Sequence, residues 1–121
     1  MKHLYTIEGR LAGANEVISA MNKHRYAGAK VKTQETKRCA LWAITGGVPK
    51  FTKPVDIHFH WFEPNKKRDK DNIRYGSKFI LDGLREAGKL PNDGWAWIGT
   101  MSDSFDVDKE NPRIEVTIEE C

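Results

Sequence analysis

Long apolar runs are absent from this chain. None approaches the roughly 18 residues that a membrane-spanning helix needs, and the start has no charged stretch leading into an apolar one, so neither a membrane span nor a secretion signal is indicated. The expected setting is therefore the cytoplasm. Cysteine is nearly absent too: Cys39 and Cys121 are the only two. They lie far apart, with no CxxC companion and no zinc-cluster spacing, so both are expected to be free thiols in a reducing compartment. Internal repeats and low-complexity segments are also missing, which excludes solenoids and disordered arrays.

What remains has the make-up of one globular domain. The chain has 121 residues, 39% apolar and 31% charged, with a mean hydropathy of -0.64; residues 1–121 are expected to enclose a single modest core. Its charge is uneven. From Pro64 to Lys78 there are six Lys/Arg against two Asp, while the whole chain is only +3. Residues 1–50 hold nine basic residues against three Glu, and residues 102–121 hold two against seven acidic ones. A basic working face and an acidic edge are the expectation.

In chain order, His3 to Glu8 alternates as a first strand. Asn15 to Asn22 sets Val17, Ile18 and Met21 at helical spacing behind an Asn that can cap. Lys23 to Arg38 is polar and reads as a loop entering a helix capped by Thr33, which Gly46-Gly47 ends. Pro54 to Phe62 is the clearest strand, with Val55, Ile57, Phe59 and Trp61 on the core side. A helix begins near Asp71 or Asn72, where Ile73, Ser77, Ile80, Leu84 and Ala87 form one stripe, and Gly88 stops it. A turn at Leu90 to Gly94 leads to a strand over Trp95 to Ser102. Asp106 to Asn111 reads as a hairpin loop before a final strand, Pro112 to Glu119. The fold class is α+β: a small mixed β-sheet of about four strands covered by two helices.

The chemistry concentrates in Lys66-Lys67-Arg68-Asp69-Lys70-Asp71-Asn72. Carboxylates two residues apart repel unless a cation lies between them, and hard divalent ions prefer oxygen ligands. Ringed by Lys and Arg, such a pair suits a phosphate-rich substrate. Asp93, on a later turn, is the candidate third carboxylate, and Mg²⁺ the candidate ion. Arg74 and Lys78 share a helix face with Asp71 and are candidates to meet charge developing on phosphorus. An EF-hand is excluded, because Ile73 and Arg74 stand where that loop needs an oxygen ligand and a glycine. The same residues also read more plainly, as a helix cap beside a solvated basic loop.

Arg68-Asp69-Lys70-Asp71-Asn72-Ile73, the helix ending Leu81-Asp82-Gly83-Leu84-Arg85-Glu86-Ala87-Gly88, the following Asn92-Asp93 and the closing Ile114-Glu115-Val116-Thr117-Ile118 resemble the RusA family of Holliday-junction resolvases, often carried by prophages. The resemblance is good over roughly residues 54–119 and looser before that: Asn15 matches, but Gly9 to Ala14 replaces the family's Pro/Ser loop. It implies a RusA-like homodimeric endonuclease that binds four-way DNA junctions and makes paired symmetrical nicks with Mg²⁺, in DNA recombination and repair, with no nucleotide cofactor. It implies catalytic, metal-holding carboxylates at Asp69, Asp71 and Asp93. The family's catalytic lysine falls on Tyr75, a departure for which Arg74 and Lys78 are the candidate replacements.

DNA contacts are expected from Lys66, Lys67, Arg68, Lys70 and Arg74. His58 and His60 share a strand face with Asp56, but no further ligand completes a zinc site there. Trp61 and Trp97 are expected in the core, and aromatic rings beside the acidic segments suit stacking on unpaired bases. Two rival functions remain: a non-catalytic module that binds branched DNA, and a nuclease for other branched DNA.

Overall fold

In the computed structural model, which describes residues 1–121, the period-two pattern of strand β2 (Val55–Glu63) organises the sheet. Val55, Ile57, Phe59 and Trp61 are all buried on one face. Strand β4 (Arg113–Glu120) buries Ile114, Val116 and Ile118 beside them, and β1 (Lys2–Glu8) adds Tyr5 and Ile7. Strand β3 (Ile98–Val107) completes a four-stranded mixed sheet of order β1-β4-β2-β3, with β3 parallel to β2 and β4 antiparallel to both its neighbours.

This order changes the C-terminal reading. β3 runs on to Val107, and β4 inserts between β1 and β2, so Asp106 to Asn111 does not close a hairpin between adjacent strands. The tight turn is shorter: Asp108 Oδ1 accepts the N–H groups of Glu110 and Asn111. Trp95 to Trp97 lie in turns before the strand begins; Trp95 is fully exposed, and Trp97 is half-buried.

The N-terminal half also corrects the expectation. Helix α1 is Ala14–Lys23, with Gly13 at the cap position in place of Asn15. Val17 is buried, but Ile18 and Met21 face out. Residues 27–45 form one helix, α2 (Ala27–Thr45), with Thr33 exposed in its interior where a loop and cap were expected. Its buried side is only Gly28, Cys39, Ala40 and Ala43. Good intrinsic helix formers (Ala, Lys, Gln, Glu) sustain it, and small residues leave no apolar stripe to announce it.

The expected helix after Asp71 is two. A five-residue turn, α3 (Lys70–Arg74), breaks at Tyr75-Gly76 before α4 (Ser77–Glu86). Gly76 lies against Leu11 and Trp61, so close that a Cβ there would stand 3.2–3.3 Å from them. α4 buries Phe79, Ile80, Leu81 and Leu84, and Gly88 at φ +75° ends the run that follows it.

α2 and α4 cross at Gly83, where a Cβ would meet Cys39 Cβ at 2.6 Å and Ala40 N at 2.9 Å. Burial pushes the Cys39 thiol up to about 12, with the Glu35 charge adding to it, so the contact is chemically inert. Gly83→Ala should lower thermal stability despite alanine's better helix propensity, by ~1–2 kcal/mol or about 5 °C, because the helices must separate. A melting temperature equal to wild type would show that the crossing is looser than this.

Candidate active site

The alternation of β2 carries one step past Trp61 and puts Glu63 on the buried face, 6% exposed. A carboxylate there needs partners. Arg68 supplies a two-pronged bond, Nε to Oε1 at 3.0 Å and Nη2 to Oε2 at 2.9 Å, and Arg10 Nη2 donates to Oε1 at 2.8 Å. The remaining Arg68 nitrogen, Nη1, donates to Glu16 Oε1 at 2.8 Å and to the Leu11 carbonyl at 3.1 Å. Asn72, buried, accepts the Asn15 N–H on Oδ1 at 2.8 Å and reaches Glu16 through Nδ2. The loop from Glu63 to Asn72 is thus tied to the start of α1.

Burial alone would raise the Glu63 carboxyl and lower the Arg68 guanidinium. Their mutual hydrogen bonds and charge, with Arg10 acting on Glu63 and Glu16 on Arg68, outweigh burial, so Glu63 titrates below the usual carboxylate range and Arg68 above its own. Glu16 is lowered the same way, burial being outweighed by its bonds to Arg68 and Asn72.

On this fixed loop stand Asp69 and Asp71, both exposed. Asp69 occupies the cap position of α3 but makes no side-chain capping bond. Asp71 Oδ1 accepts only the next N–H, that of Asn72, at 2.9 Å. Neither is in an ion pair, although Lys66, Lys67 and Lys70 are close in sequence. Both line a cleft of about 860 Å³ with Glu63, Lys66, Lys70 and Asp106. Lys70 Nζ lies 5.4 Å from the Phe105 ring centre on the wall of that cleft.

The other expected residues are elsewhere. Arg74 is held by Asp103 Oδ2, at 3.2 Å from Nε and 3.1 Å from Nη2, while Asp103 Oδ1 accepts the Trp61 indole N–H at 2.8 Å. Lys78 pairs along its own helix with Asp82 at 3.3 Å. Neither lines the cleft. Tyr75 packs against the core, edge-on to Phe79. Arg68 is internally engaged, which leaves Lys66, Lys67 and Lys70 as the exposed cations for phosphate. Asp93 lies 3.8 Å from Arg85 in a separate cleft with Trp95, Ile98, Gly99 and Met101. That cleft is at the start of β3 and the Asp69–Asp71 cleft at its end, roughly 20 Å away at ~3.3 Å per residue. No three His, Cys, Asp or Glu side chains of this chain stand close enough to hold an ion together.

No family model and no curated protein matches this chain. Two exposed carboxylates on one cleft still suit Mg²⁺, which is commonly held by one or two carboxylates, with waters and substrate phosphate completing its shell; the Asp106 carboxylate is turned to the other face of the sheet, where His60 holds it. A closed three-carboxylate site within one chain does not fit.

His58 Nδ1 and Nε2 meet Ser102 and Ser104 hydroxyls at 2.6 and 2.5 Å, and His60 Nε2 meets Asp106 at 2.6 Å, all on the open sheet face. Sequence reading overlooked Glu63, Arg10, Glu16, Asp103 and Asp106. Only Glu63 carried a local signal, its phase with Trp61.

Proposed function

We propose that this chain is a Mg²⁺-dependent endonuclease of branched DNA, a Holliday-junction resolvase acting as a homodimer in the cytoplasm. The observation that carries this reading is the pair Asp69 and Asp71: exposed, free of ion pairs, and presented by a loop that buried ion pairs hold in place. A carboxylate present only to cap α3 would accept its free N–H groups, and Asp69, at the cap position, accepts none. No helix is long and apolar enough to cross a membrane.

Asp69 and Asp71 would hold the ion, which when bound polarises a phosphoryl oxygen and acidifies a water. Lys66 and Lys70 face the same cleft and would neutralise the substrate phosphate, while Glu63 and Arg68 keep the loop from moving as charge changes. Since Arg74 and Lys78 are engaged elsewhere, the cations in reach are Lys66 and Lys70, and Lys70 stands between the two aspartates. Lys70→Ala should slow single-turnover nicking by ~10²-fold, the scale of a lost electrostatic partner, and Lys78→Ala by no more than a few-fold. The reverse ranking would return the role to α4.

The homodimer gives Asp93 a place. β3 is an edge strand, and both clefts lie on the helix side of the sheet, bordered by Phe105 at one end and Met101 at the other. Two copies pairing their β3 edges antiparallel about a twofold axis would bring the Asp93 end of each against the Asp69–Asp71 end of the other. Two equivalent sites then arise together, as paired nicks require. The test is cleavage of a labelled four-way junction against linear duplex, in Mg²⁺ and in EDTA. Symmetric Mg²⁺-dependent nicks are expected. Tight binding without nicks would support the rival reading, a module that binds branched DNA without cutting it, which Tyr75 in place of a catalytic lysine favours.

A further inference from the structure

The Asp69–Asp71 cleft continues on the far side of Arg68. A second cleft begins there, bordered by Arg68, Asn72 and Glu16, whose carboxylate Arg68 holds, and following one face of α1 from Asn15 through Lys23 to Ala27 at the start of α2. From Asn15 to Lys23 is about 12 Å at ~1.5 Å per residue, long enough for a short run of successive phosphates on one strand.

The cleft opens onto a cationic turn. Between Val17 and Gln34 the chain holds Lys23, Arg25, Lys30 and Lys32 and no Asp or Glu. All four are exposed. Every other arginine is paired with a carboxylate: Arg10, Arg38, Arg68, Arg74, Arg85 and Arg113. Arg25 instead lies 4.7 Å over the ring of Tyr26, itself 61% exposed, and the His24 ring stands 5.5 Å from that ring. Free cations interleaved with exposed rings suit a polyanion that also offers flat bases. A protein partner would be favoured by an apolar patch, and here the cleft-lining side chains of α1 are polar or small, their one carboxylate, Glu16, being neutralised by Arg68.

We infer that the α1 cleft and the turn from Lys23 to Tyr26 form a track for a DNA strand leaving the Asp69–Asp71 site, Lys23 and Arg25 contacting its phosphates and Tyr26 stacking on a base. The inference rests on the nuclease reading for the identity of the polyanion, but its test needs no cleavage. Binding of a fluorescein-labelled four-way junction is measured by anisotropy in EDTA across a salt series, for wild type, Lys23→Ala/Arg25→Ala and the control Lys50→Ala/Lys53→Ala, which removes two exposed charges near the start of β2. Losing two phosphate contacts per protomer should weaken binding about 10-fold or more near 0.1 M salt and lower the slope of log K against log salt by about 2 for each protomer engaged. The control should stay within about 2-fold, and equal melting temperatures of the three proteins show that folding is not the cause.

A slope unchanged by Lys23→Ala/Arg25→Ala, or equal losses in both double variants, overturns the track while leaving the nuclease reading in place. Wild type that binds no junction overturns the DNA reading itself. A changed slope in a protein that never nicks keeps the track and removes only the chemistry.

Discussion

Asp71→Asn should bind a four-way junction in EDTA as wild type does and lose Mg²⁺-dependent nicking by ~10²–10³-fold or more. The substitution keeps size and the acceptor oxygen for the Asn72 N–H but removes the charge that a divalent ion needs. Asp71 is exposed and outside the Glu63–Arg68 ion pairs, so folding should be untouched. Undiminished nicking would end the assignment of this cleft as the site.

Asp93→Asn sharpens the experiment. If each site joins Asp69 and Asp71 of one copy to Asp93 of the other, Asp71→Asn and Asp93→Asn homodimers are both inactive. A mixed dimer then has one site carrying both defects and one carrying neither. Mixing two inactive proteins should restore nicking, at about half the wild-type site count in each mixed dimer. Should every site lie within one chain, mixing restores nothing, because each copy keeps its own defect. Since Asp93 sits at the opposite end of β3 from the other two, restoration is the expected result.

Glu63→Gln should be the most damaging change to stability. It leaves Arg68 and Arg10 facing a neutral amide, and Arg68, only 12% exposed, keeps just the half-exposed Glu16 as counter-charge; breaking a buried pair in this way costs up to about 3 kcal/mol. For a chain of this size that is roughly 10 °C in melting temperature. The pH dependence has a definite sign. Glu63 and Glu16 titrate below their unfolded values, so their contribution is fully present above the unfolded carboxyl pKa of ~4.3 and is lost as pH falls through the lower folded values. Wild type should weaken steeply below about pH 4. Glu63→Gln should start less stable at pH 7 and show a flatter decline. Parallel acid profiles for the two proteins would mean that the Arg68–Glu63 bond carries little of the stability.

Where neighbouring residues alone decide a feature, the sequence was sufficient. β2 is legible because alternation is a property of successive side chains, and Val55, Ile57, Phe59 and Trp61 are buried as the pattern requires. Asp69 and Asp71 share a cleft because two residues of chain cannot part them. α2 was half hidden: its contact with α4 runs through Gly83, Cys39 and Ala40, and small residues leave no hydrophobic period.

Tertiary structure decided the rest. Placing β4 between β1 and β2 is settled by packing among residues more than 50 apart, and it removes the hairpin that local turn chemistry suggested. It also leaves β3 as an edge. Arg68 and Arg74 look like their lysine neighbours in a basic run, yet Glu63 and Asp103 claim them, because a charge at a buried position must find its counter-charge wherever the fold brings one. Asp93 shows the limit most clearly: twenty-two residues after Asp71 it could have folded back beside it, and the length of α4 and the direction of β3 set it at the other end of the sheet.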